Sequence, residues 1–97
     1  MKTTHEYIHL LRQFKREHAD EYGIIRMGIF GSVAREEQMD GSDIDIFYEG
    51  PSMGLKSLVE LPAELENFLG VRVDVVRKHK NLRSNFIQTI ERDIIYV

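Results

Sequence analysis

The chain has 97 residues, enough for one small domain with a thin core. It contains no cysteine, which excludes disulfides and thiolate metal sites, and its net charge of −3 argues against a sequence-independent nucleic-acid-binding protein, which would be basic. No apolar run approaches the roughly 20 residues of a membrane helix, and the first residues lack a signal-peptide core, so we expect a cytoplasmic protein that folds as a single domain over residues 1–97.

Hydrophobic periodicity and turn residues predict helices that alternate with strands. In chain order we expect a helix over 3–22, a strand over 24–30, a short helix over 33–38, a strand over 43–48, a helix over 58–69, a strand over 71–76, a helix around 82–90 and a short strand over 93–97. Thr3 with Glu6 forms a capping box at the start of the first helix, and Gly23 stops it. Ser32 is the expected N-cap of the short second helix.

This order predicts an α/β (α+β) fold, in which a small mixed sheet of three to four strands is flanked by helices. The loop over 39–42 is short and leaves open whether the second strand runs parallel or antiparallel to the first. Pro62 leaves open whether the third helix begins near it or runs through it with a kink. We expect the apolar positions of 58–69 to lie in the core, whereas an exposed apolar stripe there would mark a partner surface.

Two carboxylates lie on one face of the second strand. Because side chains alternate along a strand, Asp43 and Asp45 share a face while Ile44 and Ile46 point to the core. Their backbones lie about 6–7 Å apart, and two like charges about 4 Å apart repel by roughly 4 kcal/mol at an effective dielectric near 20. Residues 36–49 contain no lysine or arginine, so a neutralising base would have to come from elsewhere in the fold. Carboxylate oxygens in this arrangement suit Mg²⁺.

Asp74 is a third candidate ligand, because it is the one acidic residue in the apolar segment 71–76. Beside Asp43 and Asp45 in a sheet it would complete a triad able to hold two metal ions. Two ions roughly 4 Å apart can clamp the attacking and leaving oxygens of a phosphoryl-group displacement.

The glycine–serine pair before the second helix is a candidate phosphate site. Gly31 allows a sharp turn and the close approach of a ligand, and a helix that starts there points free N–H groups outward. Arg35 is expected at the third helical position, where a capping box would have Glu or Gln, so the Ser32 hydroxyl is free to reach a phosphate. Arg35 is a candidate to add positive charge.

These segments together resemble a known family. "GSVAREEQMDGSDIDI" is similar to the G-S-x(about ten)-D-x-D signature of the DNA polymerase β-like nucleotidyltransferase superfamily. The small size resembles the minimal nucleotidyltransferases, or MNT proteins, which act as antitoxins of HEPN-domain toxins. The resemblance covers most of the chain and implies a polymerase β palm-like fold.

The resemblance also implies roles for individual residues. Gly31 and Ser32 would hold the nucleoside triphosphate, Asp43 and Asp45 would bind Mg²⁺, and Asp74 would activate the attacking hydroxyl. It implies transfer of AMP from ATP to a tyrosine of a HEPN partner, which silences that partner. One departure is Glu36, which stands where many relatives have the last glycine of G-S-x-A-R-G and puts the substrate fit in question.

Two other functions are consistent with the same residues. The protein could inhibit a HEPN RNase by occluding its surface, without catalysis. It could also be a free-standing transferase that acts on RNA or a small molecule. The presence of all three aspartates favours the enzyme. The oligomeric state is left open.

The histidines of the first helix favour structural positions over catalytic ones. His5 and His9 have the i, i+4 spacing of helical zinc sites but fall on the predicted solvent face, and His18 falls on the apolar face as a packed residue.

Overall fold

The computed structural model describes all 97 residues and confirms the predicted alternation of helices and strands. The elements are α1 (Thr4–Tyr22), β1 (Arg26–Phe30), α2 (Gly31–Ala34), β2 (Ile44–Glu49), a π-helical turn (Lys56–Glu60), α3 (Leu61–Leu69), β3 (Val73–Arg77), α4 (Ser84–Asp93) and β4 (Ile95–Tyr96). No helix is both long and apolar enough to span a membrane.

The four strands form one mixed sheet in the order β3-β2-β1-β4. β1 pairs antiparallel with both of its neighbours, β2 and β4. The sequence left the orientation of β2 relative to β1 open, and the structure shows that the two strands are antiparallel. β3 lies beside β2 and runs parallel to it, which α3 makes possible by returning the chain to the same end of the sheet. The predicted small mixed sheet flanked by helices is confirmed.

The ends of α1 follow the predicted local signals. The Thr3 hydroxyl accepts a hydrogen bond from the Glu6 backbone N–H, and the Glu6 carboxylate accepts one from the Thr3 N–H, which completes the capping box. Gly23 ends the helix with φ +66°, a left-handed conformation that glycine adopts without steric strain.

The main core lies between one face of the sheet and the helices α1 and α3. Fully buried apolar side chains come from both helices and from the two central strands: Tyr7, Leu11, Phe14, Leu61, Leu65, Leu69, Met27, Ile29, Ile44 and Ile46. Ile44 and Ile46 therefore face the core as predicted, and Asp45 between them points to the opposite face. α4 packs against β1 on that opposite face.

The prediction for the third helix is partly wrong. The π-helical turn runs directly into α3, and Pro62 is the second residue of α3, so the helix begins near the proline after an irregular turn. Leu61, Leu65 and Leu69 are buried, but Leu58, in the π-helical turn, is 75% exposed. The exposed apolar residues of this segment, called the apolar turn below, are Leu55, Leu58 and Val59.

Candidate active site

The turn after β1 differs from the predicted one. α2 begins at Gly31, and Phe30 occupies the N-cap position, so the expectation that Ser32 caps a helix over 33–38 is wrong. The chain turns at Gly31 itself, which has φ +73°. The Ser32 backbone carbonyl accepts a hydrogen bond from Glu37 N–H at 2.8 Å, while no protein group binds its hydroxyl.

Gly31 lies directly against one of the candidate carboxylates. A Cβ atom at this position would lie 2.2 Å from Asp45 Oδ2, well inside any allowed contact. Only glycine therefore satisfies both the positive φ and the proximity of the carboxylate. The candidate phosphate turn and the candidate metal-binding strand are two sides of one site.

The strand register brings the two strand aspartates together. Asp45 of β2 pairs with Asp74 of the parallel strand β3, and on its other side with Phe30, the residue before Gly31. Asp74 is exposed and Asp45 is half-buried. Side chains at paired positions point to the same face of a sheet, so both carboxylates lie on the face away from the main core.

The electrostatics of the site are repulsive. Burial, the charge of Asp74 and the charge of Asp43 each raise the pKa of Asp45 above its ordinary value, and the nearby Arg35 only partly offsets them. The molecule thus holds a carboxylate that is partly desolvated and faces two like charges. This arrangement resists ionisation unless a cation enters.

Asp43 lies one residue before β2 and has its own counter-ion. Its Oδ1 lies 3.3 Å from Arg72 Nε, and both side chains are well exposed, at 38% and 77%. The oxygens of the three aspartates do not all lie within 4.8 Å of one another. Sequence reasoning missed Arg72, although the parallel register that pairs Asp45 with Asp74 also sets residue 72 beside residue 43.

Arg35 lies at the C-terminal end of α2, not at the third helical position as predicted. Its guanidinium binds Glu37 at 3.0 Å and Asp93, the last residue of α4, at 2.7 Å. The hydrogen bond from Arg35 holds the pKa of Asp93 below its usual range. Arg35 thus joins α2 to α4, and Asp93, which is 11% exposed, is a second residue that the sequence pattern did not reveal.

Glu36 is the one residue other than glycine with a positive φ, at +60°. This is the position at which many members of the resembled family have glycine. A side chain in the left-handed region costs about 1–2 kcal/mol. The departure from the family pattern therefore strains the loop before β2 and leaves the aspartates in place.

The first turn of α1 supports the backbone of α2. The buried Thr4 hydroxyl donates a hydrogen bond of 2.5 Å to the Val33 carbonyl, and the Gln38 side chain donates one to the Lys2 carbonyl. Thr4 is the one buried polar residue of the molecule. Hydrogen bonds at the start of α1 therefore hold the backbone of the candidate site against the core.

Comparisons with known proteins identify the family of the chain. The model of the nucleotidyltransferase domain family matches residues 11–97. The chain belongs to this family. It is a nucleotidyltransferase of minimal size, and the resemblance drawn from the glycine–serine and aspartate motifs is confirmed.

Relatives cover the whole chain. Protein adenylyltransferase MntA of Thermococcus cleftensis is 39% identical over 100 residues, which span 100% of this chain and 98% of that protein. A solved structure of a minimal nucleotidyltransferase superposes with a TM-score of 0.78 at 29% identity, over 97% of this chain and 95% of the other. A crystal structure of a toxin-antitoxin with AMP-PNP shares the fold, with a TM-score of 0.73 at 20% identity, over 91% of this chain and 69% of that one.

Proposed function

We propose that this nucleotidyltransferase transfers AMP from ATP to a tyrosine hydroxyl of a partner HEPN toxin, and that the modification neutralises the toxin. The observation that carries the proposal is the contact of Gly31 with Asp45, together with the pairing of Asp45 with Asp74. It joins a phosphate-binding turn to a pair of carboxylates on one face of the sheet.

The residues of the site fit Mg²⁺. The donors are carboxylate oxygens, which hard divalent ions prefer, and the raised pKa of Asp45 is the signature of a site that a cation would relieve. Asp43 and Asp45 would hold the ion that binds the triphosphate, and Asp45 and Asp74 a second ion. When bound, the two ions neutralise the phosphate charge and lower the pKa of the attacking hydroxyl.

The turn at Gly31 would hold the triphosphate. Its backbone approaches Asp45 without a side chain in between, and the Ser32 hydroxyl is available as a donor to a phosphate oxygen. Arg35, which its carboxylate partners hold beside the site, contributes positive charge to the same end of the sheet. These residues orient the α-phosphate, and orientation supplies a large part of catalysis in phosphoryl transfer.

The reaction is an in-line displacement. The acceptor oxygen forms a bond to the α-phosphorus of ATP, the bond from that phosphorus to the β-phosphate oxygen breaks, and pyrophosphate leaves. Asp74 is the most exposed of the three aspartates and lies beside Asp45, which supports its assignment as the group that accepts the proton of the incoming hydroxyl.

A partner protein supplies the acceptor. A relative 39% identical to this chain is named a protein adenylyltransferase, and structures that share the fold are toxin-antitoxin structures, one of them with AMP-PNP. The apolar turn, with Leu58 75% exposed and Leu55 72% exposed, is typical of a partner surface.

Intact-mass spectrometry tests the transfer. The chain is incubated with ATP, Mg²⁺ and the product of the neighbouring gene. We expect the partner to gain the mass of one AMP group. After digestion, the added mass should be found on a tyrosine-containing peptide. Asp43→Asn should abolish the added mass. Asp40→Asn is the matched control, because Asp40 is an acid of the same loop whose side chain is fully exposed. No added mass on any tyrosine would refute the proposal.

A neutralisation assay separates catalysis from occlusion. The double variant Asp43→Asn/Asp45→Asn keeps the apolar turn and removes the carboxylates. We expect this variant to leave the toxin's RNase activity intact. Full protection by the double variant would instead show that occlusion alone silences the toxin.

A further inference from the structure

A second group of charged side chains lies at the contact between α1 and α3. His18 and Glu21 are on one face of α1, and Glu64 faces them from α3. One oxygen or nitrogen from each of these side chains lies within 4.8 Å of the others, and theirs is the one set of three such residues in the molecule. We propose that His18, Glu21 and Glu64 form a binding site for a first-row divalent cation, of which Zn²⁺ is the best fit.

The distances suit a tetrahedral ion. His18 Nδ1 lies 3.1 Å from Glu21 Oε2 and 3.4 Å from Glu64 Oε2. Ligand atoms about 2.0–2.2 Å from a tetrahedral zinc ion are about 3.3–3.6 Å apart. The imidazole nitrogen and the two carboxylate oxygens all lie within 4.8 Å of one another, so small side-chain movements would bring them to a common ion.

Two buried polar atoms at this position make no hydrogen bond of good geometry within the protein. One is Glu64 Oε2 itself, and the other is the hydroxyl of Tyr22, whose side chain is fully buried. The phenol lies beside Glu64, and burial together with that carboxylate raises the pKa of Tyr22. Unpaired buried polar atoms are rare in folded proteins. An ion bound by Glu64 would satisfy its oxygen and leave a fourth position for water or for the Tyr22 hydroxyl.

Lys56, a neighbouring positive charge, opposes the ion in a way that can be measured. Lys56 binds the other oxygen of Glu21, Oε1, at 3.4 Å and lies over the Tyr22 ring at 5.1 Å. It leaves Glu21 Oε2 to His18. Its ammonium repels a cation at the site, so removing it strengthens binding.

The site is separate from the reaction. α1 and α3 cover the core face of the sheet, whereas Asp45 and Asp74 lie on the opposite face. His18 also stacks on Phe14 of the core at 4.6 Å between ring centroids. The ion would hold the two core helices together and stabilise the fold, independently of the proposed transfer of AMP.

Calorimetric titration of the full chain with Zn²⁺ tests the site. With millimolar Mg²⁺ present to occupy the aspartate site, we expect one Zn²⁺ ion per chain at micromolar affinity, and a loss of affinity of about tenfold or more in His18→Gln and in Glu64→Gln. Lys56→Gln is expected to tighten binding a few-fold. His9→Gln and Glu17→Gln, at exposed positions of the same helix, are matched controls that leave the affinity unchanged.

Nuclear magnetic resonance of the unaltered chain provides a readout that does not depend on the folding of a variant. We expect the His18 ring signals to shift with Zn²⁺ while those of His9 stay fixed. Absence of binding up to about 100 µM Zn²⁺ would overturn the proposal, as would affinity that survives in Glu64→Gln, since loss of a ligand weakens a zinc site strongly.

Discussion

The two faces of the sheet differ in the side chains that they carry and in how favourable their contacts are. On the face toward α1 and α3, side chains such as Leu65 and Ile46 are fully buried, apolar and in agreement with their local pattern. On the other face, Asp45 lies near the end of β1 and the start of β2. It is surrounded by like charges and lies against Gly31, which has φ +73°. The first face stabilises the fold, and the second holds an arrangement that is unfavourable on its own.

The difference teaches where each kind of change should act. Substitutions on the core face lower the free energy of unfolding and reduce activity only through loss of folded protein. In the proposed reaction, substitutions at the aspartate end alter the chemistry directly and can even stabilise the protein, because functional sites tend to retain strain and unfavourable charge.

The largest expected effect on stability is in the core. Leu65→Ala removes a fully buried side chain of α3 and should lower the free energy of unfolding by about 2–5 kcal/mol. Thermal or urea unfolding measures this. Leu58→Ala is the control: it changes a residue of the same segment that is 75% exposed and should have almost no effect. Equal losses would mean that Leu58 is packed.

Gly31→Ala should affect both stability and activity. The new Cβ would lie 2.2 Å from Asp45 Oδ2, so the carboxylate must move, and the backbone is in a left-handed conformation. We expect a loss of about 2 kcal/mol or more and a fall of about 100-fold in the transfer rate.

Gly41→Ala separates the two causes. Gly41 also has a positive φ, at +87°, but nothing lies within 4 Å of its Cβ position. It should lose about 1 kcal/mol and keep the full transfer rate. A normal rate of AMP transfer in Gly31→Ala would show that the contact between Gly31 and Asp45 does not matter for the reaction.

Glu36→Gly should be mildly stabilising. Glycine adopts the φ of +60° without strain, so we expect a gain of about 1 kcal/mol in the free energy of unfolding. Glu36→Ala removes the same charge but keeps the steric penalty, and should show no such gain. If both variants gain equally, charge and not backbone strain explains the effect.

Much of the fold could be predicted because its signals are local. The capping box of Thr3 and Glu6, the stop at Gly23 and the alternation of Ile44 and Ile46 depend on neighbouring residues alone. Strand orientation and the exposure of Leu58 depend on how elements pack against one another, which no short segment encodes.

The site divides in the same way. The Asp43 and Asp45 motif and the lone acid at Asp74 are visible in the sequence, and the structure sets the latter two side by side. Arg72 and Asp93 were missed, because their roles as partners of Asp43 and Arg35 follow from strand register and from the packing of α4. The predicted N-cap at Ser32 is wrong because the chain turns one residue earlier, at Gly31.

The difference in stability between Asp45→Asn and the unaltered chain should depend on pH. The pKa of Asp45 is raised in the folded state, so the folded state binds more protons than the unfolded state as the pH rises from about 4. Stability contributed by this group is therefore present at low pH and lost as the pH rises. Asp45→Asn should be more stable than the unaltered chain at neutral pH without metal, and the gain should vanish below about pH 4.

The most direct test measures stability and AMP transfer in the same Asp45→Asn preparation. We expect the melting temperature at pH 7 in a chelator to rise while transfer to the partner falls by about 1000-fold. A variant that melts lower, or that transfers AMP at the rate of the unaltered chain, would contradict the view that Asp45 is held in an unfavourable charge cluster for the sake of the reaction.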